Sequence, residues 1–241
     1  MGTIKLNANK PKMIAHRGLS GLEQENTCAA FVAAGNRSYF GIETDVHVTK
    51  DGQYAVIHDD STLRVAGVEL CVEETELQTL RQLTLKPKPF ECPRADLCIP
   101  TLEEYITVCK KYGKTAVLEL KNPMPPEHVW QIASVICSMD YLEHTVFISF
   151  ALENLVALRE KYPAQPAQHL LSEQPPVDEL LAVLQQHDLD LDIYHKSLTK
   201  EAVDALHKAG RVVNVWTVDT VEDAQRVIDL GVDYITSNIL E

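Results

Sequence analysis

Residues 211–238, RVVNVWTVDTVEDAQRVIDLGVDYITSN, contain the pattern that decides the fold. An apolar, β-rich run at 211–218 is followed by a run with helical periodicity at 220–231 and then by a second β-rich run at 232–238. Gly231 stands where the helical run ends and the next strand begins, which is a common position for glycine. A strand, a helix and a strand in this order predict two parallel strands joined by a crossover helix.

The same alternation extends from this stretch toward the start of the chain. Further strand-like runs lie at 13–18, 40–46, 115–121, 145–150, 167–172 and 191–197, and the runs from 115 onward each precede a helical run. With the two strands above, the predicted strands number eight. Eight strand–helix units in 241 residues fit a closed (β/α)8 barrel of the TIM type, formed by a single domain over residues 1–241. A doubly wound open sheet is the structural alternative.

The segment at about 60–100 interrupts the alternation. It contains four prolines and shows no clear strand–helix period, and it follows a short apolar run, YAVIHD at 54–59, that extends strand 2. We expect a small insertion after strand 2. Long insertions in barrels often cover the face that carries the active site.

Composition limits the classes of partner. The chain has 22 Lys and Arg against 35 Asp and Glu, a net charge of −13, which disfavours a nucleic acid as partner. The first residues lack the apolar segment of a signal peptide, and no apolar run reaches the roughly 18 residues that predict a membrane span. Six cysteines show no CxxC spacing. We therefore expect a cytoplasmic protein with reduced cysteines, no stable membrane insertion and a small-molecule substrate.

Polar side chains stand at the ends of several predicted strands. Active sites of such barrels lie at the carboxyl ends of the strands, and alternate residues of a strand point to the same side. The residues placed in this way are His16, Arg17, Glu43, Asp45, His58, Glu119, Lys121 and Trp216. We expect them to meet on one face of the barrel.

Three of these residues, Glu43, Asp45 and Glu119, are carboxylates from two neighbouring strand ends. Buried carboxylates require a positive partner. An all-oxygen set without a thiol suits a hard divalent cation, Mg²⁺ or Ca²⁺. The alternative is ion pairing with Arg17 and Lys121, and both arrangements are compatible with a single anion-binding site.

The histidines of this set, His16 and His58, are candidates for an acid–base pair. A lone histidine at a strand end is more often structural, but two imidazoles beside a carboxylate cluster can supply a general base and a general acid near neutral pH. His47 lies past the carboxylates on the same strand and is expected behind the site. His195, with Lys196 at the end of its strand, is a further site candidate.

Taken together, these residues resemble the glycerophosphodiester phosphodiesterase family. The motifs that carry the resemblance occur in the family's order: HRG (16–18), ENT (25–27), IETDVHVTKDG (42–52), VIHDD (56–60), IPTLEEY (99–105), LELK (118–121) and VWTVDTVEDAQRVIDLGVDYI (215–235). The resemblance implies a (β/α)8 barrel with a small insertion after strand 2. It also implies hydrolysis of glycerophosphodiesters to glycerol 3-phosphate and an alcohol, with a divalent cation.

The resemblance implies a role for each site residue. His16 and His58 match the acid–base pair, Glu43, Asp45 and Glu119 match the metal ligands, Arg17 and Lys121 match phosphate contacts, and Trp216 matches an apolar wall. Asn26 and Thr27 are expected to cap the first helix. Two departures stand out: Gln24 replaces a common proline, and the final ITSNILE lacks the family's usual aspartate and proline, which predicts a short or absent closing helix.

Two other functions fit parts of the sequence. A phospholipase D-like enzyme acting on lysophospholipids or sphingolipids would need an apolar, membrane-facing insertion, but residues 62–80 are amphipathic rather than plainly apolar. A catalytically silent barrel that binds a metabolite predicts the loss of at least one key residue, and all eight are present.

Overall fold

The computed structural model describes residues 2–6, 10–87 and 94–241. Its strands are β1 (Lys12–Ala15), β2 (Gly41–Val48), β3 (Tyr54–Val56), β4 (Thr115–Leu120), β5 (Thr145–Ser149), β6 (Ala167–Leu171), β7 (Asp190–Tyr194), β8 (Val213–Trp216) and β9 (Tyr234–Ser237). Its helices are α1 (Cys28–Gly35), α2 (Leu63–Ala66), α3 (Leu77–Arg81), α4 (Leu102–Tyr112), α5 (Pro126–Ser138), α6 (Leu152–Lys161), α7 (Val177–Gln186), α8 (Lys200–Lys208) and α9 (Val221–Leu230), with a short 3-10 helix at Leu142–His144.

Eight parallel strands close into a barrel. The ladder runs in the order β1-β9-β8-β7-β6-β5-β4-β2, and β1 also pairs with β2, so that the ring has no open edge. Ile14 of β1 pairs with Gly41 on one side and with Thr236 on the other. The predicted (β/α)8 fold is confirmed, and the open doubly wound alternative is wrong because β1 has a partner on both sides.

Local signals in the sequence account for the helix ends. The Thr220 and Thr199 side chains accept hydrogen bonds from the backbone N–H groups of Asp223 and Ala202, and thereby cap α9 and α8. Gly231 ends α9 in the left-handed conformation, as predicted.

The described part of residues 60–100 packs as a separate small unit beside the barrel. The run at 54–59 does not extend strand 2. It turns back, and β3 pairs antiparallel with β2. The short helices α2 and α3 follow and bury a small apolar cluster: Ala55, Ile57, Val65, Val72, Leu80, Leu85, Leu97 and Ile99. Pro89, Cys92 and Pro93 lie outside the described residues. The boundaries of the expected insertion therefore remain a prediction.

The core has two parts. A large apolar layer fills the space between the barrel and the surrounding helices. A smaller cluster of Ile14, Val117, Ile148 and Leu170 fills the inside of the barrel. The inside of the barrel is therefore packed with apolar side chains. Among the described residues, no helix has both the length and the apolarity that a membrane span requires.

Candidate active site

The carboxyl ends of the strands surround a cavity of about 220 Å³. Six of the eight expected site residues line it: His16, Arg17, Glu43, His58, Glu119 and Trp216. Asp45 and Lys121 lie beside it, since Asp45 Oδ2 is 3.6 Å from Arg17 Nε and Lys121 Nζ is 2.8 Å from Glu119 Oε1. The rest of the wall is Ile148, Phe150, Leu170, Asp192 and Thr236. A larger polar groove of about 530 Å³ adjoins the cavity at His16 and Arg17, but the carboxylate cluster faces the smaller space.

Glu43, Asp45 and Glu119 form a compact carboxylate cluster. One oxygen from each lies within 4.8 Å of the others, and all three residues are buried. Burial, reinforced by the charge of Asp45, raises the pKa of Glu43 well above its ordinary value and that of Glu119 to about 8. Burial also opposes ionisation of Asp45, but Arg17 and Lys121 outweigh it and hold the pKa of Asp45 below its ordinary value. Arg17 and Lys121 therefore keep Asp45 ionised but do not offset the cost of ionising the other two buried carboxyl groups, Glu43 and Glu119.

This cluster fits a hard divalent cation. The donor atoms are all oxygens. Asp45 Oδ1 is buried and has no hydrogen-bond partner in the described part of the chain, with Lys121 Nζ 3.5 Å away. Glu43 accepts a hydrogen bond from the backbone N–H of Arg17, but no described Lys or Arg side chain lies within ion-pair distance of it. The ion pairs expected as the alternative do form, yet among the described residues they leave Asp45 Oδ1 without a hydrogen bond and Glu43 without a Lys or Arg partner.

Arg17 is presented by a tight turn after β1. Its own φ is +53° and that of Gly18 is +74°. Its backbone N–H donates to Glu43 Oε2 at 2.7 Å and its Nη1 donates to Glu25 Oε1 at 2.9 Å. Its Nε is buried without a hydrogen-bond partner among the described residues. The guanidinium is thus fixed at the cavity, and its Nε–H, 3.6 Å from Asp45 Oδ2, has no hydrogen bond and is available to an anion.

His16 is held from behind by Asn238. The Nδ1–H of His16 donates to Asn238 Oδ1 at 2.8 Å, and Asn238 is oriented by Asp219, which accepts from its Nδ2 at 2.6 Å and from its backbone N–H at 2.8 Å. Nε2 of His16 therefore carries the lone pair, 4.0 Å from Glu43 Oε2. Burial, assisted by the neighbouring Arg17, lowers the pKa of His16 to about 4. A neutral imidazole with a free Nε2 is suited to accept a proton.

His58 is anchored through a chain of ion pairs. Its Nδ1–H donates to Asp59 Oδ1 at 2.7 Å, and Asp59 accepts from Arg64 Nε at 2.6 Å. Arg64 binds Glu25 with two bonds of 2.7 and 2.8 Å, and Glu25 binds Arg17. Burial lowers the pKa of His58, while the charge of Asp45 opposes that shift. The second histidine and the arginine of the site are therefore positioned by one continuous network.

Aromatic rings form one wall. Trp216 meets Phe150 edge to face with 5.7 Å between ring centroids, and lies 5.6 Å from Tyr194. The indole Nε1 of Trp216 is buried and has no partner within the described ranges. The wall is thus apolar, with one unused donor.

Two other histidines lie elsewhere. His47 is buried behind the site, where its Nδ1 is 3.1 Å from Glu73 Oε1 and its Nε2 is 3.4 Å from the carbonyl oxygen of His58. His195 accepts from Arg226 Nη2 at 2.9 Å and does not line the cavity. The structure does not bring His195 to the site because Arg226 of α9 holds its ring.

Sequence reasoning gave Asn26 the wrong role. Thr27 caps α1 as expected, by accepting from the N–H of Ala30. Asn26 instead donates to Asp45 Oδ2 at 2.8 Å and accepts from the hydroxyl of Thr44 at 2.7 Å. It therefore orients a carboxylate of the cluster. Sequence reasoning did not identify Asn238, Asp59, Arg64, Glu25 and Asp192 as site residues. The only signal for any of them was that Glu25 and Asp59 lie within the ENT and VIHDD motifs.

Comparisons with known proteins match nearly the whole chain. A sequence model described as the glycerophosphoryl diester phosphodiesterase family matches residues 16–240. A glycerophosphodiester phosphodiesterase of Caldanaerobacter subterraneus is 31% identical over 233 residues, covering 95% of this chain and 94% of that protein. One of Bacillus altitudinis is 30% identical over 240 residues, with 93% of each covered. A phosphodiesterase from Oleispira antarctica, solved with its product sn-glycerol-3-phosphate, superposes with a TM-score of 0.82 at 26% identity over 95% of this chain and 94% of that one.

Proposed function

Because the chain belongs to the glycerophosphoryl diester phosphodiesterase family and is therefore a phosphoric diester hydrolase, we propose that its cavity cleaves glycerophosphodiesters to glycerol 3-phosphate and an alcohol by metal-dependent acid–base catalysis. The observation that carries the proposal is the meeting of two imidazoles, one guanidinium and three carboxylates at a single cavity. In this combination each group has a task in phosphodiester cleavage.

Glu43, Asp45 and Glu119 would hold the divalent cation, Mg²⁺ or Ca²⁺. When bound, such a cation polarises phosphoryl and hydroxyl oxygens and offsets developing negative charge. Asn26 keeps Asp45 in a fixed orientation for this purpose.

Arg17 and Lys121 bind the phosphoryl oxygens. Arg17 is anchored by Glu25 and still has Nε available, while Lys121 is held by Glu119. Charge-assisted hydrogen bonds from fixed donors stabilise the charge that grows on the phosphoryl group in the transition state.

The reaction proceeds in two steps. The 2-hydroxyl of the glyceryl group attacks phosphorus, and His16 Nε2 takes its proton, since Asn238 holds the other ring nitrogen in its protonated form. His58, whose imidazolium is stabilised by Asp59, gives a proton to the departing alcohol. The tethered nucleophile removes much of the entropic cost of attack. Water then opens the cyclic phosphate, with the two histidines in reversed roles.

Product analysis tests the reaction. The protein is incubated with glycerophosphocholine, glycerophosphoethanolamine and glycerophosphoinositol, with Mg²⁺ and Ca²⁺ in turn, and we expect glycerol 3-phosphate with the free alcohol. Release of a phosphorylated alcohol with free glycerol would contradict the proposed bond cleavage.

Histidine variants test the acid–base assignment. His16→Ala and His58→Ala should each lose at least about a hundredfold in kcat, the low end for a general acid or base. His195→Ala is the matched control, because this histidine contacts Arg226 outside the cavity, and it should retain activity. Near-normal kcat in folded His58→Ala would make that histidine structural.

A substrate that lacks only the 2-hydroxyl tests the cyclic step. It should bind comparably but turn over orders of magnitude more slowly. Hydrolysis at a similar rate would mean that water attacks phosphorus directly.

A further inference from the structure

Unfilled hydrogen-bonding groups gather around the cavity. Of seven buried side-chain atoms without a partner in the described part of the chain, four belong to Arg17, Asp45, Asp192 and Trp216. Arg17 is proposed to bind the phosphate, and Asp45 is proposed to bind the metal ion. The carboxyl oxygen of Asp192 and the indole nitrogen of Trp216 have no task in the reaction described above.

Asp192 lies at the floor of the cavity. It is 2% exposed and lines the cavity from β7, two residues before Tyr194, which pairs with Trp216 of β8. At about 3.3 Å per residue along a strand, its level is roughly 7 Å below the aromatic wall. Its neighbours in the sheet register are Leu170 and Asn214.

The residues around Asp192 indicate what kind of ligand group can bind to it. Ile148, Leu170 and Trp216 present apolar surface, and among the lining residues the single arginine, Arg17, lies at the carboxylate cluster. A carboxyl oxygen removed from water without a partner is unfavourable, so a bound group that donates a hydrogen bond is favoured there. A hydroxyl on a short carbon chain supplies both the donor and the apolar body.

We propose that Asp192 Oδ1 accepts a hydrogen bond from the terminal hydroxyl of the substrate's glyceryl group, and that this bond selects deacylated glycerophosphodiesters over 1-acyl lysophospholipids. The assignment rests on the proposed function, since it places the phosphate between Arg17 and the carboxylate cluster. The glyceryl group then extends from the phosphate toward the floor, past Trp216.

An acyl chain on that hydroxyl is disfavoured for two reasons. Esterification removes the hydroxyl hydrogen, which leaves Oδ1 of the buried Asp192 without a partner among the described residues. Sites built to bind a substrate hydroxyl reject analogues without it by about 10⁴–10⁵-fold in strong cases. The floor also has no room for a chain, because Ile148 and Leu170 of the cavity wall pack with Ile14 and Val117 in the apolar cluster inside the barrel.

Matched substrates and variants test the proposal. The substrates are glycerophosphocholine, its analogue in which the terminal hydroxyl is replaced by hydrogen while the 2-hydroxyl remains, and 1-acyl lysophosphatidylcholine. The proteins are the wild type, Asp192→Leu, Asp192→Asn and the control Gln168→Met. Gln168 is buried in the same barrel interior and bonded to Asn214, but it does not line the cavity.

In the wild type, we expect kcat/KM to fall at least about a hundredfold both when the terminal hydroxyl is removed and when it is acylated. Asp192→Leu should reduce the hydroxyl preference to less than about threefold, and Gln168→Met should keep it. Where Asp192→Leu does not fold, Asp192→Asn, which keeps the shape but replaces one carboxyl oxygen by an amide nitrogen, should narrow the preference for the substrate hydroxyl at least about tenfold. An unchanged preference in a folded Asp192 variant, or equal turnover of the acylated substrate by the wild type, overturns the proposal.

A binding measurement separates this inference from the proposed function. Calorimetry compares glycerol 3-phosphate with propane-1,2-diol 1-phosphate, which lacks the terminal hydroxyl, on wild type and Asp192→Leu. Hydroxyl-dependent binding that disappears in Asp192→Leu supports the Asp192 assignment even if no diester is hydrolysed, a result that would overturn only the proposed function. Equal binding of both phosphates by the wild type overturns the Asp192 assignment.

Discussion

Single residues behind the cavity hold the histidine and arginine side chains that line it in fixed orientations. Asn238 accepts from His16 Nδ1–H and is itself fixed by Asp219. Glu25 joins Arg17 to Arg64, and Arg64 joins Asp59 to the same network. Each of these residues acts through a neighbour, so its loss should change the rate or the stability rather than the nature of the reaction.

Replacement of Asn238 by leucine should lower kcat by about 10–100-fold with little change in KM, because His16 loses the acceptor that fixes its tautomer. Ser20→Ala is the matched control. It removes a hydroxyl that also bonds Asn238 but leaves the bond from His16 in place, and kcat should stay within about threefold. Steady-state kinetics on both folded variants check the expectation. Equal kcat in Asn238→Leu and wild type would contradict it.

Glu25 should make stability depend on pH. Burial opposes its ionisation, but bonds from Arg64 and Arg17 outweigh it and lower its pKa from 4.5 to about 2 in the folded chain. The unfolded chain therefore binds a proton first as pH falls, so the stabilisation is present above pH 4.5 and is lost between pH 4.5 and 2. Glu25→Gln should cost on the order of 2–3 kcal/mol at pH 7 and flatten this dependence.

Urea unfolding from pH 7 to pH 3 measures the effect of Glu25→Gln. Glu160→Gln, at an exposed position of α6, is the control and should follow the wild-type curve. Parallel curves for Glu25→Gln and wild type would show that Glu25 is not the titrating group.

At this scale the sequence predicts the polar residues that line the cavity better than the residues that hold them in place. His16, Glu43 and Glu119 stand at strand ends, and the barrel geometry alone brings strand ends together. Asn238 meets His16 across 222 residues of chain, and Arg64 meets Glu25 across 39, through loops whose path no periodicity encodes. Their contacts become visible only once the loops are in place.

The connection from β1 to α1 is the element on which the site most depends. A Cβ on Gly18 would lie 2.7 Å from both the backbone carbon and the Cβ of Ala30, in a residue whose φ is +74°. Gly18→Ala should therefore push α1 away from β1 and displace Arg17 and Asn26. We expect a loss of about 2–4 kcal/mol, combining left-handed strain with overpacking, and a marked fall in kcat/KM.

Gly52→Ala is the matched control for Gly18→Ala. Gly52 has nearly the same φ, +71°, but nothing lies within 4 Å of the position of its Cβ. Its substitution should show the conformational cost alone, about 1–2 kcal/mol, with activity retained. Equal destabilisation of the two variants in chemical unfolding would refute the close-approach argument.

Most strands and helices of the barrel were predictable from the alternation of β-rich and helical runs. The antiparallel turn of β3 and the short helices α2 and α3 were not. Their apolar residues, such as Val65 and Leu80, pack in a small cluster of their own. Because these elements are short, the spacing of apolar residues along the sequence keeps neither the strand period of two nor the helix period of 3.6 for long enough to be recognised.

On the scale of the whole molecule, a divalent cation should stabilise the fold. The three carboxylates lie on β2 and β4, adjacent strands of the barrel, and a bound cation would relieve their repulsion. Mg²⁺ or Ca²⁺ at about a hundred times its Kd should add about 2.7 kcal/mol and raise Tm. Asp45→Asn should greatly reduce this rise.

Thermal unfolding measures the effect with chelator, with each divalent cation, and with NaCl at matched ionic strength. NaCl should not reproduce the shift, since the site requires a doubly charged ion. Identical Tm values in chelator and in either divalent cation would exclude a stabilising ion at the cluster, as would an undiminished shift in Asp45→Asn.

Closure of the ring could be predicted only from the count of strands. The alternation of elements is the same in an open sheet and in a barrel, and the decisive contact is that of β1 with β9, which join the two ends of the pattern. The eight predicted strand–helix units match the number that closes a barrel. The pairing of Lys12 with Tyr234, by contrast, cannot be predicted from any pattern in the sequence around either residue.

The order of the site residues along the chain bears on how such a protein diverges during evolution. The groups proposed to act on phosphorus lie between residues 16 and 121, whereas Ile148, Leu170, Asp192, Trp216 and Thr236 of the cavity wall all come later. Apart from changes at Asn238 and Asp219, which hold His16, point changes in the later half reshape the cavity without moving the groups proposed to react. A lineage can thus exchange one diester for another while keeping its chemistry, and recombination between relatives near residues 122–144 would transfer preference without transferring the reaction.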